Sequence, residues 1–172
     1  LQGGYAAHAT AVKRLGHQAE LVKYPAQVEK LDALIFPGGE SSTQLQMIQR
    51  TGLEAALRSF VASGRPVFGT CAGLILCART VTQPEQRSFG FLDCSVARNA
   101  WGRQLDSFEA ASDSGIPLVF IRAPRITDPG TCEVLATFKG EPILLRQGNV
   151  LGAAFHPELT LDASVFELWL GR

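Results

Sequence analysis

Excess charge of either sign is missing from this chain. Lys and Arg number 16, Asp and Glu number 16, and the formal charge is zero. No overall field is therefore present to hold nucleic acid or an anionic membrane surface, and no dense Lys/Arg block supplies a local one. The longest apolar run falls far short of the ~20 residues a membrane-spanning helix needs. No basic stretch leads into an apolar one, as a signal peptide would require. Cysteine and histidine are sparse. The four cysteines (Cys71, Cys77, Cys94, Cys132) form no CxxC pair, and none of the three histidines is spaced beside them. That pattern argues against a zinc site, and no metal is expected. A reduced, cytoplasmic protein is the simpler expectation, with three of the four cysteines serving as small core residues. What is present, 46% hydrophobic and 19% charged residues over 172 positions, is enough for one globular domain spanning 1–172 with a sizeable core.

The periodicity alternates between helix and strand. Ala6, Ala9, Val12 and Leu15 recur at helical spacing within residues 5–15, and Gly16 supplies a stop. Residues 18–23 alternate like a strand. The apolar run at 32–36 breaks at Pro37-Gly38-Gly39, the pattern of a buried parallel strand ending in a loop. Ser41 or Ser42 is placed to cap the next helix, which runs in two pieces to Arg50 and over 53–62. A short strand at 67–69 and a helix at 72–79 follow. Residues 89–109 read as strand-like without a clear helix. Further strands are expected at 118–121, 132–138, 142–146 and 150–155, the last three joined by hairpin-like turns at Lys139-Gly140 and Gln147-Gly148-Asn149. A helix at 163–170 closes the chain. This order predicts a doubly wound α/β fold, a mostly parallel sheet flanked by helices with added antiparallel strands.

Gly69-Thr70-Cys71-Ala72-Gly73 follows a predicted strand and opens a predicted helix, the setting of a nucleophile elbow. A thiol at a helix start is favoured as the thiolate, and the N–H of Ala72 would face a developing oxyanion. Taken alone, the pattern equally fits a buried core cysteine in a tight turn. Phe155-His156-Pro157-Glu158 adds a histidine at a strand end with a carboxylate two residues on, as a base and its orienting partner require. Its plainer reading is a surface turn, and His8 and His17, in or just after the first helix, are read that way. Pro37-Gly38-Gly39-Glu40-Ser41 also follows a strand, where successive amides form an anion nest or supply a second oxyanion donor. Arg98 and Arg122 lie near strand ends and suit either an amino-acid carboxylate or surface ion pairs.

In this order, the glycine loop, the G-x-C-x-G and the late His-Pro-Glu resemble the class I (triad) glutamine amidotransferases, whose fold is flavodoxin-like. Finer strings narrow the resemblance to the glutaminase subunit family of pyridoxal 5′-phosphate synthase. They are Leu1-Gln2-Gly3, Pro37-Gly38-Gly39-Glu40-Ser41-Ser42-Thr43 and Phe68-Gly69-Thr70-Cys71-Ala72-Gly73-Leu74. Further along come Arg98-Asn99-Ala100-Trp101-Gly102-Arg103-Gln104-Leu105-Asp106-Ser107-Phe108-Glu109 and Phe120-Ile121-Arg122-Ala123-Pro124-Arg125-Ile126. Arg146-Gln147-Gly148-Asn149-Val150 and Phe155-His156-Pro157-Glu158-Leu159-Thr160 complete the series. The resemblance implies hydrolysis of L-glutamine by Cys71, His156 and Glu158. It implies glutamine held by Gly39, Glu40, Ser41, Arg98, Ile121 and Arg122, and an oxyanion hole from Gly39 and Ala72. It also implies ammonia delivery to a (β/α)₈-barrel synthase subunit in a large hetero-oligomer, with no cofactor on this chain. The family carries a strand ahead of Leu1, so further residues are expected upstream. The loop at 83–87 is expected to touch no proposed catalytic group. Competing readings are an amidotransferase serving another synthase, a cysteine hydrolase on a similar sheet, and a regulatory module of the same fold.

Overall fold

A computed structural model describes residues 3–98 and 107–171. Its helices are α1 (Tyr5–Arg14), α2 (Pro25–Val28), α3 (Ser41–Thr51), α4 (Leu53–Ala62), α5 (Ala72–Cys77) and α6 (Ser164–Leu170). Its strands are β1 (Leu34–Phe36), β2 (Val67–Thr70), β3 (Ala78–Thr82), β4 (Leu92–Ala97), β5 (Ser107–Ala111), β6 (Pro117–Ile121), β7 (Arg125–Asp128), β8 (Glu133–Phe138), β9 (Glu141–Gln147) and β10 (Val150–Ala153). The main sheet has the order β1-β2-β10-β9-β8; β3-β4-β7 and β5-β6 form two smaller ones. The first three strands of the main sheet run parallel, and β9 and β8 extend it antiparallel. A mixed α/β sheet with added antiparallel strands is the class expected from the sequence.

Strand β2 is buried along its whole length, because helices cover both of its faces. Successive side chains of a strand point to opposite faces, so Phe68 and Thr70 share one face and Val67 and Gly69 the other. On the Phe68 face the ring packs against Phe166 and Trp169 of α6, at 5.8 and 5.9 Å between centroids, and against His8 of α1. On the other face Phe36, Gly69 and Gly152 lie in register across β1, β2 and β10. Helix α5 settles into the shallow place left by the two glycines. It comes so close that a Cβ on Gly73 would sit 1.9 Å from the carbonyl oxygen of Phe36.

Several local expectations need correction. Residues 18–23 form no strand: Val22 alone is buried, and the N–H groups of Lys23 and Tyr24 donate to the Gln27 side chain that caps α2. Neither Ser41 nor Ser42 caps α3. Glu40 does, accepting from the N–H groups of Ser42 and Thr43. Helix α5 stops at Cys77, two residues early, because Ala78 turns extended and β3 begins, pairing with β4. The hairpin turn at Lys139-Gly140 is present, with both residues at positive φ, the requirement of a two-residue turn matched to the twist of its strands. Of the strand-like stretch at 89–109, β4 and the start of β5 are seen; residues 99–106, and the strand expected ahead of Leu1, lie outside the described residues. Among those described, no helix is long and apolar enough to cross a membrane.

Candidate active site

Three adjacent parallel strands deliver the candidate residues to one edge. The carboxyl ends of β1, β2 and β10 lead into Pro37-Gly38-Gly39, Cys71 and His156 respectively, and such an edge is where open α/β sheets bind ligands. Cys71 occupies the turn between β2 and α5 with φ 49° and ψ −103°, a conformation that costs a non-glycine residue energy. Packing holds it there. The Cys71 N–H donates to the Ala153 carbonyl at 2.8 Å and its carbonyl accepts from Ile75 N–H at 3.1 Å. The flanking glycines permit the turn, since a Cβ on Gly69 would meet the Gly73 backbone at 2.8 Å. The thiol is buried and lies 3.8 Å from the carbonyl oxygen of Ile121.

After β10 the chain places His156 beside that thiol. Its N–H is pinned to the Val119 carbonyl of β6 at 2.8 Å. Pro157 then opens a single 3₁₀ turn, Pro157–Leu159, which folds Glu158 back under the imidazole. Nδ1 of His156 lies 2.7 Å from Glu158 Oε1; Nε2 is buried with no hydrogen-bond partner among the described residues, and the ring interacts electrostatically with Cys71. Burial alone would lower the imidazole pKa, but the hydrogen bonds and charges of Cys71 and Glu158 outweigh it and raise it well above the ordinary histidine value. Burial would likewise raise Glu158; hydrogen bonds from His156 and His8 reverse that and keep the carboxyl ionised. The geometry supports a buried imidazolium between a sulfur and a carboxylate. The other three cysteines are free and buried, and burial pushes the Cys77 and Cys94 thiols up.

The glycine loop passes over this group at close range. A Cβ on Gly38 would lie 2.4 Å from His156 Cε1 and 3.6 Å from Cys71 Cβ, so only glycine lets the backbone lie across the imidazole. The Gly38 carbonyl accepts from the Gly4 N–H at 2.9 Å and from the Gln44 amide at 3.4 Å. Because the peptide is planar and trans, the Gly39 N–H points away from α1. The N–H of Ala72 is one of the orphan donors at the start of α5. Beside the loop, Glu40 is held at about 2, down from 4.5. The Ser42 hydroxyl lowers it most, burial opposes, and Thr43 adds to the lowering. Arg98 pairs with it at 3.1 Å. Ser41 is buried, with its hydroxyl 2.9 Å from Gln86. The 83–87 loop therefore touches a candidate binding residue. Ile121 ends β6 at the same edge and Arg122 follows it, both exposed, with Arg122 at φ 44°.

A family model described as the SNO glutamine amidotransferase family matches residues 1–172. The chain belongs to that family. Curated relatives include the pyridoxal 5′-phosphate synthase subunit PdxT of Koribacter versatilis, 47% identical over 99% of this chain and 91% of the relative. The PdxT of Corynebacterium jeikeium is 46% identical over 99% and 92%. Among solved structures, one described as a crystal structure of glutamine amidotransferase superposes with a TM-score of 0.93 at 43% identity, covering 99% of this chain and 94% of that one. The structure of PurLQS from Thermotoga maritima, at 14% identity and a TM-score of 0.67 over 93% of this chain and 84% of that one, shares the fold alone.

In this glutamine amidotransferase the structure brings Cys71, His156 and Glu158 together, with Gly39 in the loop after β1, Ala72 next to the thiol at the start of α5, and Glu40, Ser41, Arg98, Ile121 and Arg122 around the rim. Sequence reasoning missed His8. It is not solvated but 3% exposed, with Nε2 2.9 Å from Thr70 Oγ1 and 3.3 Å from Glu158 Oε1. The signal was present: His8, Ala11, Val12 and Leu15 fall at i, i+3, i+4 and i+7, and the first three are the buried residues of α1.

Proposed function

We propose that this chain hydrolyses the side-chain amide of L-glutamine to L-glutamate and ammonia, and passes the ammonia to a separate pyridoxal 5′-phosphate synthase subunit of (β/α)₈-barrel fold. The observation that carries the chemistry is His156, set between the Cys71 thiol and a buried carboxylate 2.7 Å from Nδ1. The names borne by the curated relatives support the destination of the ammonia.

The reaction follows from those positions. The Cys71 thiolate attacks the amide carbon, forming a C–S bond while the carbonyl electron pair moves onto oxygen. The N–H groups of Gly39 and Ala72 are the donors assigned to that oxyanion. Collapse breaks the C–N bond as His156 gives its Nε2 proton to the departing nitrogen. Ammonia leaves, and a γ-glutamyl thioester remains on Cys71. Water then attacks the thioester and His156 takes its proton. The C–S bond breaks, glutamate departs, and the thiolate and imidazolium are restored. Glu158 keeps the imidazole in one tautomer and balances its charge throughout.

Substrate recognition is assigned to the rim. Glutamine is a zwitterion, and the Glu40–Arg98 pair offers it both signs, with Arg122 free of any ion pair to a described residue. Ser41, Gly39 and Ile121 supply the remaining contacts. Pyridoxal phosphate is the product of the assembly, so this chain needs no cofactor of its own, and its four free cysteines suit a reducing cytoplasm. The test is release of glutamate and ammonia from L-glutamine with the synthase partner present. Cys71→Ala should lower it by about 10³-fold or more; undiminished release would contradict the proposal.

A further inference from the structure

The pair formed by His156 and Glu158 is met from behind by another imidazole. We propose that His8 is a positioning residue of this site, whose Nε2–H holds the Glu158 carboxylate against His156. The inference rests on the triad reading above and adds to it a residue far from Glu158 in sequence, on α1.

Four observations carry it. His8 Nε2 lies 3.3 Å from Glu158 Oε1, the same oxygen that His156 Nδ1 approaches at 2.7 Å. An ionised carboxylate only accepts hydrogen bonds, so the nitrogen facing it must carry the proton. This assigns His8 the Nε2–H tautomer, its proton lying between Glu158 Oε1 at 3.3 Å and the Thr70 hydroxyl oxygen at 2.9 Å. The other ring nitrogen, Nδ1, is buried without a hydrogen-bond partner among the described residues, and the ring edges contact Phe68 and Phe166. Glu158 Oε2 is also buried and unpartnered. Both nitrogen contacts therefore converge on one oxygen of the carboxylate, whose other oxygen has no hydrogen-bond partner among the described residues.

The physical consequence is direct. Terminal rotation of a glutamate carboxylate is soft, and a base whose partner drifts loses tautomer and orientation. His8 supplies a second N–H from a rigid helix. Helix α1 is itself tied to the site by the Gly4 N–H on the Gly38 carbonyl and by Arg14 on the Thr160 carbonyl at 3.0 Å. Of the charged and titratable groups, Glu158 faces His8 directly, with His156 and Cys71 next beyond it. Phe68 and Phe166 close the remaining sides.

The test compares His8→Gln, whose amide can still donate from near the Nε2 position, with His8→Leu, which is of similar size and cannot. Both are assayed for glutaminase activity with the synthase partner, alongside wild type and Cys71→Ala. The expected result is a fall in kcat of up to about a hundredfold for His8→Leu, with KM within about twofold. The alkaline limb of its pH–rate profile should also move, and His8→Gln should recover most of the loss. Equal kcat and an unmoved profile for His8→Leu and wild type would overturn the inference while leaving the triad reading intact. Wild type no more active than Cys71→Ala would instead overturn both. Nitrogen-15 spectra of the histidine rings provide a readout that does not need a folded His8 variant. His8 should be an Nε2–H tautomer in wild type, and Glu158→Gln should shift that nitrogen; an Nδ1–H tautomer there would overturn the inference.

Discussion

Glu158 shows how one side chain sets the behaviour of the group beside it. Together with Cys71, its carboxylate raises the His156 pKa against the lowering that burial would cause. Glu158→Gln keeps the size and withdraws the charge, so the imidazolium should lose its proton at lower pH than in wild type. The alkaline limb of the rate profile is expected to move to lower pH, and kcat to fall by roughly 10²–10⁴-fold. Steady-state kinetics across pH on the folded variant would check both, and an unmoved limb would count against the charge argument. The triad candidates were legible at this scale because each stood in a short pattern at a strand end. His8 was not, because the helical face had been drawn through Ala6 and Ala9 rather than through His8 and Ala11. One polar residue on an apolar stripe reads as surface until its partners, Thr70 and Glu158, are known, and these lie 62 and 150 positions away.

At the scale of elements, the crossing of α5 over β1 and β2 makes a sharp demand. A methyl group on Gly73 would lie 1.9 Å from the Phe36 carbonyl oxygen, so Gly73→Ala must push the helix off the sheet. Destabilisation of about 1–3 kcal/mol or more is expected, measured as a lowered denaturant midpoint, together with displacement of Cys71 and loss of turnover. A variant as stable as wild type would contradict the close approach. Elements whose hydrogen bonds are local, such as α4 and the β8–β9 hairpin, were readable from periodicity and turn chemistry. Residues 18–23 were not, because alternation does not reveal whether a ladder partner exists. The N–H groups of Lys23 and Tyr24 went to a capping glutamine instead. The cap of α3 is Glu40 rather than Ser41 or Ser42, a less common cap than serine that is favoured here by four donors from Ser42 and Thr43.

Across the whole molecule, acid should act through carboxylates that the fold keeps ionised. Glu40 and Glu158 both titrate lower in the folded chain than their ordinary 4.5, at about 2. In the interval between, the unfolded chain binds more protons, so stability rises with pH there. It is fully present above about 4.5 and is lost as pH falls toward about 2. Urea midpoints should decline over that window, and Glu158→Gln should flatten the decline; a slope unchanged by the substitution would count against it. The order β1-β2-β10 in the sheet, which sets the thiol between the glycine loop and the histidine, was the part least legible in sequence. Nothing local says that a strand at 150–153 inserts beside one at 67–70, because the pairing joins segments far apart in the chain. The central claim, that Cys71 carries the glutamyl group, is tested most directly by acid-quenching the complex during turnover of L-glutamine and mapping its peptides by mass. A glutamyl thioester on the peptide containing Cys71 is the predicted result; a glutamyl group on any other residue, with turnover intact in Cys71→Ala, would contradict it.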